Sequence, residues 1–103
     1  MKIIEPAHVY ELAHFVNPEN HETITFLRKA PVSPDSTELE LVHDGTTNEE
    51  VITVLIDRLQ SANIKVPSRE TALAITKLEE ALMWLNKRTA DRTARGVEGT
   101  RNK

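Results

Sequence analysis

The side chains with the greatest chemical capacity stand near the end of the chain, in the run Arg88-Thr-Ala-Asp-Arg92-Thr-Ala-Arg95-Gly96-Val97-Glu98-Gly99-Thr100. At about 3.6 residues per turn, Arg88, Arg92 and Arg95 fall at i, i+4 and i+7, so a helix would project their guanidinium groups from one face. Each is a planar, permanently charged fork that matches phosphate oxygens two at a time. Three on one face make a receptor for a phosphorylated anion. Trp84 and Lys77 lie near the same face, and an indole beside guanidinium groups can stack on a nucleobase. Plainer readings stand beside these. Basic residues in the last turns of a helix complement the negative end of its macrodipole, and a lone tryptophan is usually core.

No other constellation points to chemistry. His8, His14, His21 and His43 all fall in the first half of the chain, with no His pair at helical spacing and no cysteine, so no metal is expected. His43-Asp44 is half of a catalytic pair without a nucleophile, since Ser61 and Ser68 sit in turn-like positions. Glu79 and Glu80 leave a helix about 100° apart and cannot share a reacting atom. The glycine-rich phosphate-loop patterns are absent, although Gly96-Val97-Glu98-Gly99-Thr100 presents backbone N–H groups that a turn could form into an anion-binding nest. No catalytic residue and no cofactor are expected.

The elements that must position the arginines follow from patterning. The chain has 103 residues, 39% hydrophobic and 28% charged, with four aromatic residues, which suits one domain, or one that completes its core by association. No run approaches the length of a membrane span, and the start lacks a signal-peptide pattern, so a soluble, cytosolic protein is expected. The net charge of −3 is uneven. Residues 1–66 hold eleven Asp/Glu against five Lys/Arg, and residues 67–103 hold five against eight. A local basic region in an acidic protein favours a small anion over duplex nucleic acid, which demands many neutralised phosphates. A small nucleic-acid-binding regulator using the same basic stripe is the alternative.

Val9–Val16 and Thr23–Arg28 flank the turn-forming Asn17-Pro-Glu-Asn20 and read as a hairpin, and Glu38–His43 reads as a third strand after a Pro/Ser-rich loop at 30–37. Thr47-Asn-Glu-Glu50 has capping-box spacing, and Val51, Ile52, Leu55 and Leu59, widened by Val54 and Ile56, give the first helix an apolar face too broad for one neighbour. After Asn63–Pro67, Ser68 caps a second helix to about Arg95, with a stripe of Leu73 or Ala74, Leu78, Ala81 or Leu82, and Leu85. The fold class is therefore α+β: a small antiparallel N-terminal sheet and a two-helix antiparallel hairpin. We expect one domain over residues 1–103, with a β-rich part at 1–43, the hairpin at 44–100 and a mobile tail at 101–103.

Four runs, Asp44-Gly-Thr-Thr-Asn-Glu-Glu50, Leu55-Ile-Asp-Arg-Leu59, Leu78-Glu-Glu-Ala-Leu-Met-Trp-Leu-Asn-Lys-Arg-Thr89 and Arg92-Thr-Ala-Arg-Gly-Val-Glu-Gly-Thr100, resemble the first-type Thoeris anti-defence family of bacteriophages. That family shares its helical hairpin with phage anti-CBASS sponge proteins, and the resemblance runs from about Gly45 to Thr100. It implies a non-catalytic sponge that withholds cyclic ADP-ribose isomers (1''-2' or 1''-3' glycocyclic ADP-ribose) in the cytoplasm of the infected bacterial host. Some relatives also trap CBASS cyclic di- or trinucleotides at separate sites. It further implies dimers with two pockets near the interface, in some members joined into hexamers. Carried onto this chain, Arg88 and Arg92 would grip the pyrophosphate; Thr71 and Arg95 are the next candidates, and Trp84 is either core or pocket wall. Residues around the hairpin linker would close over base and ribose. There the chain departs from the family pattern, with Thr71 where relatives often have Asn and Val66 where an aromatic residue often precedes the proline.

Overall fold

A computed structural model describes residues 1–103 and contains five strands followed by two long helices, an α+β arrangement. The chain divides into two compact units, Met1–Thr47 with Gly99–Arg101, and Asn48–Glu98 with Asn102–Lys103.

In the first unit, strands β1 (Lys2–Glu5), β2 (Val9–Ala13) and β3 (His21–Thr25) form an antiparallel sheet in the order β1-β2-β3. The expected hairpin is β2–β3. Its turn is fixed by the Asn17 side chain, whose Oδ1 accepts from the Glu19 N–H at 3.1 Å, while the Asn20 N–H donates to the Asn17 carbonyl at 3.0 Å. The ambiguous register of the first run is settled by pairing Tyr10 with Ile24 on one side and Ile3 on the other. Tyr10 meets Phe26 edge to face, ring centroids 5.9 Å apart. The polar positions carry cross-strand pairs, His21 with Glu11 at 2.9 Å and His14 with Glu22 at 3.0 Å.

Two features of the β-rich part differ from the sequence reading. There are two small sheets, because β4 (Arg28–Pro31) and β5 (Leu39–His43) pair separately, and β1 adds a strand that the short run Lys2-Ile-Ile-Glu5 did not announce. The expected loop at 30–37 also shrinks, since Ala30 pairs with Glu40 and Pro31 with Leu39. Proline is tolerated at that strand end, where no ladder N–H is required of it.

Gly45 is required by proximity. A Cβ there would lie 2.6 Å from the Phe26 carbonyl carbon and the Thr25 oxygen and 2.7 Å from the Leu27 nitrogen. That close approach lets the Thr46 N–H donate to the Thr25 carbonyl at 2.8 Å and the Leu27 N–H to the Thr46 carbonyl at 3.0 Å.

In the second unit, α1 (Asn48–Lys65) starts directly after Thr47, with Glu49 and Glu50 in its first turn, and packs along α2 (Arg69–Ala94). Ser68 caps α2 as its sequence position predicts, accepting from the Thr71 N–H at 3.1 Å and donating to the Thr71 hydroxyl at 2.8 Å. The Asn63 side chain accepts from the Ser68 N–H at 3.0 Å and closes the turn. Only three residues separate the helices, so they run antiparallel.

The packed stripes differ in detail from those expected. On α1 the sheltered positions are Val51, Ile52, Ile56 and Leu59, and Leu55 faces outward with Val54. On α2 they are Thr71, Ile75, Leu78, Leu82 and Leu85, followed by Arg92. Leu73, Ala74 and Ala81 are exposed. Ile75 is the one hydrophobic residue buried in a single copy, and sixteen large apolar side chains remain exposed.

Gly45→Ala should lower stability by about 2 kcal/mol or more, since three backbone atoms must yield. Urea unfolding measures this, and an unchanged midpoint would contradict the account of the close approach.

Candidate functional site

The last three turns of α2 and the residues after it surround an open groove of about 390 Å³, lined by Trp84, Lys87, Arg88, Asp91, Arg92, Arg95 and Lys103. Trp84, Arg88, Asp91 and Arg95 stand at i, i+4, i+7 and i+11, so one outward helical face supplies most of the wall. The indole of Trp84 is half exposed, which makes it a wall of the groove and not core.

The three arginines share the groove but are not equivalent, which corrects the expectation that all project alike from one face. Arg88 is exposed and no protein group pairs with its guanidinium. Arg95, also exposed, donates through Nη1 to the Lys103 carbonyl at 2.8 Å. Arg92 has a side chain only 9% exposed. Its Nη1 donates to the Asn102 carbonyl at 2.6 Å, its Nη2 to the Val97 carbonyl at 3.0 Å, and its Nε faces the Glu98 carboxylate at 3.3 Å. The reason is periodic: Thr71, Leu78, Leu85 and Arg92 are spaced by seven and occupy one inward stripe.

Gly96 and Val97 also differ from expectation. The Val97 N–H donates to the Arg92 carbonyl and the Gly96 N–H to the Thr93 carbonyl, at 3.0 and 3.1 Å, with Gly96 at φ +72°. These bonds close the helix end, so the Gly96 and Val97 N–H groups are taken up within the chain. Beyond the helix, the Asn102 and Lys103 carbonyls accept from Arg92 and Arg95, and the Arg101 N–H donates to the Thr37 carbonyl at 2.9 Å.

Electrostatically the groove suits an anion. Its lining has five cationic side chains against Asp91, and with Glu98 set against Arg92 the balance is +3. Lys87 and Asp91 lie 3.7 Å apart on the exposed surface, where such a pair is worth little. The lining has no histidine, serine, threonine or cysteine. The groove can therefore hold a multivalent anion by charge and hydrogen bonding, with a flat ring against Trp84. Lys77 is outside it, beside Glu80 at 3.9 Å.

Val66 and Thr71 are not brought to this groove. They flank the turn between the helices, and Thr71 is seventeen positions from Arg88, which is about 25 Å along α2. Lys87, Asp91 and Lys103 line the groove without having been singled out in the sequence. Asp91 was legible from the same spacing that relates Trp84, Arg88 and Arg95.

The histidines hold no comparable site. His43 Nδ1 lies 2.8 Å from the backbone carbonyl of Asp44, whose own carboxylate accepts from the Gly45 N–H at 2.8 Å. His8 Nδ1 is buried without a partner, and no group of three or more metal-ligating side chains converges.

A helical hairpin preceded in sequence by small antiparallel sheets, with a cationic groove at the end of its second helix, defines a small protein of the α+β class. Residues 22–90 match the family described as "Acb2/Tad1, hairpin domain", and the chain belongs to that family. The match begins inside the β-rich part, earlier than the resemblance from Gly45 onward, and stops before Arg92. The chain is also similar to "Thoeris anti-defense 1" of Bacillus phage SBSphiJ7, 61% identical over 61 residues, which cover 58% of this chain and 43% of that protein. The chain thus spans less than half the length of this curated relative.

Glu98→Gln removes the anionic acceptor of a buried guanidinium while keeping its shape, and should cost about 1 to 2 kcal/mol of stability. A urea midpoint equal to the parent's would show that Arg92 does not need this partner.

Proposed function

We propose that this protein is a phage immune-evasion protein that binds cyclic ADP-ribose isomers, the 1''-2' or 1''-3' glycocyclic forms, and withholds them uncleaved, blocking Thoeris defence. It acts in the cytoplasm of the infected host. The observation that carries this reading is the groove itself, where the unpaired Arg88 and the outward Arg95 stand beside a half-exposed indole. A diphosphate needs the first two and a purine ring the third. The name of the Bacillus phage relative supports the anti-Thoeris role. Cyclic di- and trinucleotides of CBASS systems share the phosphate and base chemistry and are further cargo in this reading.

Withholding a scarce signal requires nanomolar affinity, about −12 kcal/mol, and preorganised donors in place of barrier-lowering groups. The groove lining offers such donors and a single, paired carboxylate. The protein is therefore read as a binder and not as an enzyme.

The site is completed between copies. Thr71 stands about 25 Å from Arg88 along α2, and Val66 lies beyond it in the turn before the helix, too far to touch the same small ligand from one chain. A twofold, antiparallel placement of two copies sets the Val66 end of one beside the Arg88 end of the other, giving two pockets per dimer. The exposed apolar side chains of the hairpin, such as Val54, Leu55, Ile64, Leu73 and Met83, supply surface for such an assembly, as a dimer or as a hexamer built from three dimers.

Arg88→Ala should weaken binding of a glycocyclic ADP-ribose by roughly 2 to 4 kcal/mol with the fold intact. Calorimetry tests this, and unchanged affinity would move the site elsewhere. Val66→Glu, at an exposed position, should also abolish binding by placing a charged carboxylate where the linker closes over base and ribose. Mixing the two inactive variants should then restore about one site per mixed dimer, and a mixture that stays inactive would sink the composite pocket.

A further inference from the structure

We propose that Asp44 is a site of spontaneous backbone modification, where the Gly45 nitrogen closes on the Asp44 carboxyl carbon to give a cyclic imide and then isoaspartate. The inference is independent of the anion groove and concerns the β-rich unit alone.

Three features of this turn favour the reaction. Asp44 and Gly45 are exposed, and no Cβ on Gly45 shields its nitrogen. The Gly45 N–H bonds to the carboxylate it would attack, Oδ1 at 2.8 Å, and to no backbone carbonyl. That contact sets the nitrogen roughly 3 to 3.6 Å from Cγ, near the separation at which reacting atoms are poised. The third feature is His43, whose Nδ1 lies 2.8 Å from the Asp44 carbonyl. A carbonyl only accepts, so Nδ1 carries the proton. This carbonyl belongs to the same peptide group as the Gly45 nitrogen. A donor on its oxygen draws electron density from that nitrogen and makes the N–H easier to remove.

In the first step the carboxyl group, protonated from solvent, loses its hydroxyl as the nitrogen bonds to Cγ. The hydroxyl departs as water with the N–H proton. Water then adds to either imide carbonyl. Breaking the bond between nitrogen and Cγ restores aspartate. Breaking the bond between nitrogen and the backbone carbon gives isoaspartate, of unchanged mass, with the main chain routed through Cβ and Cγ.

That route adds a methylene just before Gly45, where the backbone has no slack. A Cβ on Gly45 would already meet backbone atoms of Thr25, Phe26 and Leu27 at 2.6 to 2.7 Å. The bonds from the Thr46 N–H to Thr25 and from the Leu27 N–H to Thr46 rely on that approach, so isoaspartate at 44 opens both.

The test ages the purified full chain in warm neutral buffer and reads residue 44 by electron-transfer fragmentation and isoaspartyl methyltransferase labelling. Isoaspartate should form there at least tenfold faster than at Asp35, Asp57 or Asp91, none of which precedes glycine. The folded chain should react within threefold of the chain unfolded in urea, or faster, because the fold holds the contact. His43→Ala should slow the folded chain at least threefold. Amide protection at Leu27 and Thr46 should fall at least tenfold in the isomerised protein. It should persist in aged Asp44→Glu, whose longer side chain would have to close a larger ring. Similar rates at all four aspartates, or a folded chain more than threefold slower than the unfolded one, overturn the proposal. An unchanged rate in His43→Ala overturns the part given to the imidazole, and protection retained after isomerisation overturns the structural consequence.

Discussion

The structure around the groove depends on one buried cation. Arg92 is the single charged residue taken out of water, and its guanidinium is surrounded by two carbonyls and a carboxylate from the residues that follow α2. A positive charge in that position is stable only while those acceptors stay in place. The requirement fixes the path of the chain beyond Gly96 and brings the Lys103 carbonyl to Arg95. The outward arginines are thereby displayed on a shaped surface instead of a fraying helix end. The charge of Arg92 is cancelled locally, and the net field of the groove comes from its neighbours.

Much of this was legible in the residues, and the misses have physical causes. Ser68 announced the start of α2 through its side-chain chemistry, Gly96 announced its end through its freedom at positive φ, and Asn17-Pro-Glu-Asn20 announced the hairpin turn. Strand β1 and the separate β4–β5 pair were hidden because four-residue strands carry too little alternation to stand out. The arginine stripe was located but misapportioned. Reading i, i+4 and i+7 from Arg88 groups all three residues, whereas reading the seven-residue step from Leu78 and Leu85 assigns Arg92 to the packed side. The second periodicity prevailed because it is the one that buries surface. The distance between Thr71 and Arg88 was legible too, as a matter of helical rise.

The charge distribution and the apolar exposure belong to one functional logic. Under the proposed function, an acidic protein with a confined cationic groove attracts a small polyanion without coating nucleic acid. A chain that leaves side chains such as Val54, Ile64 and Trp84 in water has surface to bury against a copy of itself. Membership of the Acb2/Tad1 hairpin family is consistent with both properties. In this account, holding a signal and assembling with a partner are two uses of the same pair of helices.

The central claim is that the protein captures a diphosphate-bearing cyclic signal and returns it unbroken. It is tested most directly by exposing the purified protein to a lysate containing an activated Thoeris signal-producing enzyme, washing it, and releasing bound small molecules by heat for mass spectrometry. The account predicts recovery of an intact cyclic ADP-ribose isomer in near-stoichiometric amount. Recovery of linear ADP-ribose, or of no nucleotide at all, would contradict it.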